Sequence, residues 1–314
     1  MIPGPELANI LNVKPQQIHN LRSRYDLIDE LDTMLSPSGR RFYTPDGVRK
    51  ILDKRGLNFT PKSVCICNVK GGVGKTTIAV NLAKKTASLG FKTLLVDCDK
   101  QGNATDQLLP QLRDTQFPTL YDIVSKKADL DSCVMKVNEH LSLLPSSLKN
   151  QLLEKAIIQS DINKGEYFKK IFKNHNYDLV IFDTEPNLSS INLMVLAFCE
   201  LNIAPIRLDK NSIDGLDLLL SFIEDGKEEW PGMNIETKVL INGFDKRMTQ
   251  DAITKIGKVR DLGLETFGTY VRVDHSFVKS QDSLDLKNNS KAYEDISSFS
   301  TELLGITPTN HKVQ

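Results

Sequence analysis

The chain has 314 residues, enough for about two domains of ordinary size. Its 40 lysines and arginines balance 40 aspartates and glutamates, which excludes a global basic field, so any nucleic-acid contact must come from local patches and be salt-sensitive. The five cysteines argue against a disulfide framework, and with no signal peptide and no apolar run of about 18 residues a soluble, cytosolic protein is expected.

Residues 1–60 read as a small helical module. Pro5 to Leu11 carries Leu7, Ile10 and Leu11 at helical spacing, Asn12-Val13-Lys14 breaks it, and Pro15 opens a second helix with Ile18 and Leu21 inward. Helix, short turn, helix is the geometry that reads a DNA major groove. On the second helix Gln16, Gln17, His19, Asn20, Arg22 and Arg24 are polar, and Gln17, Asn20 and Arg22 are the candidate DNA contacts. A tight turn, Ser36-Pro37-Ser38-Gly39, then presents Arg40 and Arg41, and Thr44 caps a helix opened by Pro45. The run Gly39 to Val48 resembles the wing and following helix of MerR-type winged helix-turn-helix domains. A helical dimerisation arm with solvated arginines is the alternative.

A linker at 58–62 leads to the second domain, 61–314, where strand and helix alternate as in a mostly parallel sheet with helices on both faces. Cys65 and Cys67 lie two apart on the first strand, face one side and read as core, since no matching Cys or His pair follows. That strand runs into Lys70-Gly71-Gly72-Val73-Gly74-Lys75-Thr76-Thr77 and a helix from Ile78 to Leu89 closed by Gly90. Strand, glycine-rich turn and helix form the context of a phosphate-binding loop, with the helix N-terminus adding partial positive charge. Lys75 is placed for the terminal phosphates and Thr76 for Mg²⁺. Val69 occupies the position of the ordinary loop's first glycine, so the loop is a variant, with Lys70 as an extra cation.

Further strands follow at 92–97, 141–144, 177–183, 201–206 and 238–241, with helices near 191–199, 213–228, 249–262 and 291–304. Two strands end in aspartate, at Asp97-Cys98-Asp99 and at Asp183. Ligands of such sheets bind at the carboxyl ends of strands, so these acids point toward the phosphates and Asp183 reads as a metal residue.

Four stretches together resemble the ParA family of DNA-partition ATPases, within the deviant-Walker-A class of P-loop proteins: Asn68 to Thr77, Leu94 to Thr105, Tyr177 to Pro186 and Val239 to Asp245. The resemblance covers about residues 62–305. It implies a nucleotide set of Lys70, Gly71, Gly72, Val73, Gly74, Lys75, Thr76, Thr77 and Asn242, with ATP and Mg²⁺ bound. Lys75 contacts its own subunit's β- and γ-phosphates, and Lys70 reaches across a nucleotide-sandwich homodimer to those of the partner. Thr76 ligates the metal, Asp97 and Asp183 stand in its outer shell, and Asp99 orients the attacking water. Relatives mostly carry proline at the positions of Lys100 and Glu185; Lys100 is read as loosening the first switch or adding a basic contact, and Glu185 is expected to face solvent, with disturbance of the metal shell as the alternative.

The resemblance further implies ATP-driven dimerisation, nonspecific coating of nucleoid DNA, and release when a ParB-type centromere-binding partner stimulates hydrolysis, with the N-terminal module as operator-binding autorepressor. Late basic residues, Lys246, Arg247, Lys255, Lys258, Arg260, Arg272 and Lys279, are the candidate nucleoid contacts, Arg272 foremost. A positioning ATPase for a protein cargo or organelle is the alternative. A membrane-surface ATPase of MinD type fits poorly, because the tail from Thr307 is short, polar and broken by Pro308. Nitrogenase-reductase-like electron transfer fits no better, since Cys133 and Cys199 lie outside cluster-ligating contexts.

Overall fold

A computed structural model describes residues 1–18, 20–57, 59–113, 115–159, 163–245, 249–277 and 290–306. The N-terminal stretch builds a three-stranded antiparallel sheet in the order β1-β3-β2 from β1 (Ile2–Pro3), β2 (Thr33–Leu35) and β3 (Arg41–Tyr43). The hairpin β2–β3 carries the turn read as a wing, and Thr44 caps the following helix, Pro45–Lys54, by accepting from the Gly47 amide. The expected single second helix is two short ones, Pro15–Ile18 and Leu21–Tyr25. Both still turn Ile18 and Leu21 inward, because burial of those side chains fixes the facing more strongly than helix continuity does.

The larger sheet contains β4 (Lys62–Ile66), β5 (Thr93–Asp97), β6 (Met135–Lys136), β7 (Leu141–Leu144), β8 (Leu179–Asp183), β9 (Leu201–Ile206), β10 (Glu236–Phe244), β11 (Glu265–Thr266) and β12 (Val271–Arg272). The order is β11-β10-β9-β4-β8-β5-β7-β6, with β12 also on β10, and every pairing is parallel except the edge pair β6–β7. Alternation along the strands sends Cys65, Leu94, Val96, Val180 and Phe182 to one apolar layer, and Val64, Ile66, Leu95 and Ile181 to the other. Helices Ser190–Phe198 and Lys210–Glu229 cover the first layer; helices Lys75–Ser88 and Lys291–Leu303 cover the second. Parallel strands covered on both faces bury nearly all their side chains, which is why these runs are apolar throughout. Cys65 and Cys67 are buried on one side, as their spacing predicts.

The N-terminal module shares its core with the larger unit: Leu89, Phe91 and Leu304 pack among its Leu7, Val48, Ile51 and Leu52. Phe59, in the expected linker, meets Phe91 edge-on at 4.8 Å. Gly90 lets the helices approach this closely, since a Cβ there would lie 2.3 Å from the Pro45 carbonyl oxygen, and its φ of +86° favours glycine independently. Polar contacts bridge the seam. Lys85 is bonded to Glu6, which also accepts from the Tyr293 hydroxyl at 2.8 Å, and Arg49 reaches Asp178 at 3.2 Å while lying over the Phe91 ring. Because Lys85 stands in the last turn of helix Lys75–Ser88, that one helix joins the glycine-rich loop to the N-terminal module.

Candidate nucleotide-binding site

The sheet order places β4, β8 and β5 side by side, so the loop after β4 meets the aspartates that end the other two strands. In register, Ile66 pairs with Asp183 and Asp183 with Asp97. Gly74 is the N-cap of helix Lys75–Ser88 at φ +92°, a conformation that lets the chain turn from loop into helix without steric strain. A Cβ at Gly74 would strike the Asn242 amide, which donates to the Val73 carbonyl at 2.7 Å. Asn242 thus braces the loop from β10, on the flank of the glycines.

The loop opens on a cleft of about 450 Å³ lined by Gly72, Gly74, Lys75, Thr76 and Thr77 on one side and by Asp99, Thr184 and Pro186 on the other. Lys75 is buried, and its ammonium donates to the Lys70 carbonyl at 3.2 Å. Burial pushes its pKa down, while the charges of Asp183 and Asp99 work the other way. Lys70 differs: its amide is held by Asn68 at 3.0 Å, but its ammonium makes no hydrogen bond or ion pair among the described residues.

The two strand-end aspartates have unlike surroundings. Asp97 accepts from the Thr105 amide at 2.9 Å, the Thr105 hydroxyl at 2.7 Å and the Asp99 amide at 3.2 Å. Asp183 is equally buried, yet neither of its carboxylate oxygens has a hydrogen-bond partner among the described residues. Burial, then the charge of neighbouring Asp97, pushes the Asp183 carboxyl well above the usual range, with the Thr76 hydroxyl and Lys75 opposing; burial also raises Asp97, to about 7. An orphaned buried carboxylate beside a threonine hydroxyl is an oxygen set that a hard divalent cation satisfies, so Thr76, with Asp183 behind it, fits Mg²⁺. Asp97, saturated by its own loop, is the less open of the two.

Asp99 lines the cleft while its carboxylate accepts from the Gln101 amide at 2.9 Å. Sequence reading gave no role to Asn103, Asp106, Gln107 and Arg113, which close the far side of the cleft from helix Asn103–Leu108 and the turn beyond it. The signal was the stretch Gln101 to Thr105, which matched the family motif but carried no assigned function; Thr105 is the residue that occupies Asp97.

The expectation that Glu185 faces solvent is corrected. Glu185 is buried, and its carboxylate takes the Lys100 amide at 3.2 Å and the Lys100 ammonium at 3.1 Å. A carboxylate beside a lysine and an open N–H finds more favourable partners inside than a partly screened surface position offers.

In the N-terminal module Gln17, Asn20, Arg22 and Arg40 are exposed. Asp29 holds Arg41 at 2.7 Å and Arg22 at 2.8 Å, so both arginines are oriented by one carboxylate, which they hold below the usual range, Arg41 most. Lys258 and Arg260 are exposed in the last turn of helix Thr249–Asp261. Arg272 ends β12, where Asp295 grips its guanidinium at 2.6 and 2.9 Å and Glu294 adds a contact at 3.1 Å; its charge is therefore compensated within the chain. Arg247 and Lys279, like Lys246, His19 and the tail from Thr307, lie outside the described residues.

Residues 61–238 match a protein-family model described as an AAA domain. The chain is 30% identical over 199 residues to the sporulation initiation inhibitor protein Soj of Bacillus subtilis, covering 62% of this chain and 76% of Soj. It is 30% identical over 257 residues to a virulence-plasmid ParA family protein of Chlamydia trachomatis, covering 78% of this chain and 94% of that protein. Among solved structures, a putative plasmid partition protein of Borrelia burgdorferi bound to AMPPNP superposes with a TM-score of 0.65 at 23% identity, covering 79% of this chain and 98% of that one, which establishes likeness of fold.

Proposed function

The chain belongs to the ParA family of partition ATPases, and on that premise we propose that it is an Mg²⁺-dependent ATPase that segregates a plasmid or similar replicon. In this reading ATP drives two copies into a sandwich, the dimer binds nucleoid DNA without sequence preference, and a ParB-type centromere-binding partner stimulates hydrolysis and release. Residues 1–60 form a winged helix-turn-helix unit and 61–314 the ATPase unit of a cytoplasmic, nucleoid-associated protein. The observation that supports the reading most is that Lys75 and Thr76, from one loop, line a single cleft with Asp99 and lie against the buried, orphaned carboxylate of Asp183.

The chain's own groups supply most of what phosphoryl transfer needs. Lys75 and the loop from Gly71 to Gly74 hold the phosphates, and Thr76 and Asp183 hold the metal's side of the site with Asp97 behind. Bound Mg²⁺ would neutralise charge on the phosphate oxygens. Asp99 orients water at the cleft edge, which is positioning more than strong base chemistry. Lys70, whose ammonium has no hydrogen bond or ion pair among the described residues, is available to a second subunit's phosphates. Asn242 supports the loop through Val73 from the β10 side, as a residue of the proposed nucleotide set.

DNA contacts in this reading fall into two groups. Gln17, Asn20, Arg22, Arg40 and Arg41 serve operator binding by the N-terminal unit. Lys258, with Arg247, Lys279 and a secondary contribution from charge-compensated Arg272, serves nucleoid binding.

The test is nonspecific DNA binding by the purified protein with ATP, ADP and a slowly hydrolysed analogue across a salt series. Affinity is expected to rise only with the triphosphates and to fall steeply with salt. No effect of nucleotide at any salt would remove the proposal.

A further inference from the structure

We propose that Glu185 is a positioning residue: through a two-point clasp on Lys100 it fastens the loop bearing Asp99 to the loop after Asp183, so that the two respond to the cleft as one body. The turnover part of this inference rests on the ATPase reading above; the clasp itself does not.

The geometry is that of a fastener. One carboxylate oxygen of Glu185 accepts from the Lys100 amide at 3.2 Å, and the other from the Lys100 ammonium at 3.1 Å. The first contact fixes the peptide that directly follows Asp99, the residue lining the cleft. The second adds charge to it, with the Glu185 side chain 11% and the Lys100 side chain 40% exposed, so the ion pair is partly screened and the amide contact carries the more enclosed half of the clasp.

Glu185 is itself held from behind. Asn187 donates to its carboxylate at 2.7 Å, and buried Asn192, in the first turn of helix Ser190–Phe198, donates to its backbone carbonyl at 3.0 Å and to that of Asn187 at 2.7 Å. On the other flank the Thr184 hydroxyl is bonded to the Ile66 carbonyl on β4 at 3.0 Å. The glutamate therefore presents its oxygens from a frame tied to a helix and a central strand, while the loop it grips is held from the opposite side by the Ser146 hydroxyl on the Asp99 carbonyl at 2.6 Å. The clasp adds a hold on the Asp99 loop at the peptide directly after Asp99, on the side facing Glu185. A side chain that must hold water at the cleft edge gains from such support, because a displacement of about 1 Å in a positioning group costs up to about 100-fold in rate.

The tests are amide exchange and steady-state hydrolysis on the full chain, comparing wild type with E185A, E185Q, K100M and the double variant E185Q/K100M. In nucleotide-free protein the Lys100 amide is expected to exchange about tenfold faster or more in E185A, with K100M changing it less, since only the ammonium half of the clasp is lost. Unchanged exchange in E185A overturns the clasp. For hydrolysis, kcat is expected to fall about tenfold in E185Q with KM within about twofold, and K100M to add nothing in the E185Q background. Equal or raised kcat in E185Q, or simple additivity of the two changes, overturns the positioning role. If wild type hydrolyses no ATP, the ATPase reading fails by itself, and amide exchange still decides the clasp.

Discussion

Asp97 and Asp183 stand opposite each other in register at the ends of adjacent parallel strands, both fully buried, yet among the described residues one carboxylate accepts three hydrogen bonds and the other none. The asymmetry separates their roles. Asp183→Asn removes a buried, like-charged and unsatisfied group, so the nucleotide-free protein should melt no lower than wild type, while Asp97→Asn strips acceptors from Thr105 and should melt lower. With ADP present, Mg²⁺ should raise the melting temperature of wild type and leave Asp183→Asn nearly unmoved, by the linkage of binding to stability. Thermal melts with and without EDTA check both expectations; an Asp183→Asn protein that responds to Mg²⁺ like wild type would show that the ion is held elsewhere.

Lys70 carries an ammonium with no intrachain hydrogen bond or ion pair among the described residues, so its removal should cost little in folding. Lys70→Ala is expected to keep its melting temperature within about 2 °C, a shift typical of a surface change below 0.5 kcal/mol, while losing ATP-dependent dimers. Light scattering with ATP and Mg²⁺ measures this, and dimers of wild-type abundance would place Lys70 outside the interface.

Asp99 faces the cleft from a loop held at several points, so its side chain can be cut back without collapse of the site. Asp99→Ala should bind ATP about as tightly as wild type and hydrolyse it at least about 100-fold more slowly, accumulating long-lived dimers. Single-turnover hydrolysis with dimer lifetime reads the outcome, and lifetimes like those of wild type would deny Asp99 its role with water.

The seam between the module and the nucleotide helix depends on the buried pair Lys85 and Glu6. Lys85→Ala leaves Glu6 without its cation in a largely buried place and should destabilise the chain by about 3 kcal/mol. The double change Lys85→Met with Glu6→Leu, which removes both charges and keeps the volume, should recover most of that. Denaturant midpoints for the two proteins test the pairing; equal losses would mean that packing alone matters there.

His175 has its imidazole between Phe172 and Tyr177, with Nδ1 accepting from the Tyr177 amide at 3.2 Å. Burial lowers its pKa below the usual 6.5. Below that value the unfolded chain binds the proton more readily than the fold does, so stability rises with pH: the contribution is fully present above about pH 6.5 and is lost as pH falls. His175→Phe keeps a ring in place and cannot titrate. Between pH 7 and pH 5.5 its melting temperature should fall less than that of wild type, and parallel curves would assign the acid sensitivity to other groups.

Much of the site was legible in the sequence because its parts are local. The glycine-rich loop, Lys75 and Thr76 are contiguous, and a strand before with a helix after dictates what such a run can do. Asp97 and Asp183 were legible for a related reason, since an apolar run ending in aspartate locates the carboxyl end of a buried strand. What could not be read is how the two acids differ, because Thr105 claims Asp97 through a helix whose placement depends on the sheet beside it. Glu185 was misread for the same kind of cause: its partner stands 85 residues away, and only the adjacency of β5 and β8 brings the two loops together.

The sequence alone determined the fold class, the phosphate loop and the strand-end acids, because hydrophobic periodicity and backbone permissiveness act over a few neighbouring residues. Only the tertiary structure decided which charges are free and which are spent. It gave Arg272 to Asp295, Arg22 and Arg41 to Asp29, and Lys100 to Glu185, while leaving Lys70 unclaimed among the described residues. The reason is physical: a side chain's electrostatic partner is set by distance in space, and strand order, not chain order, sets that distance.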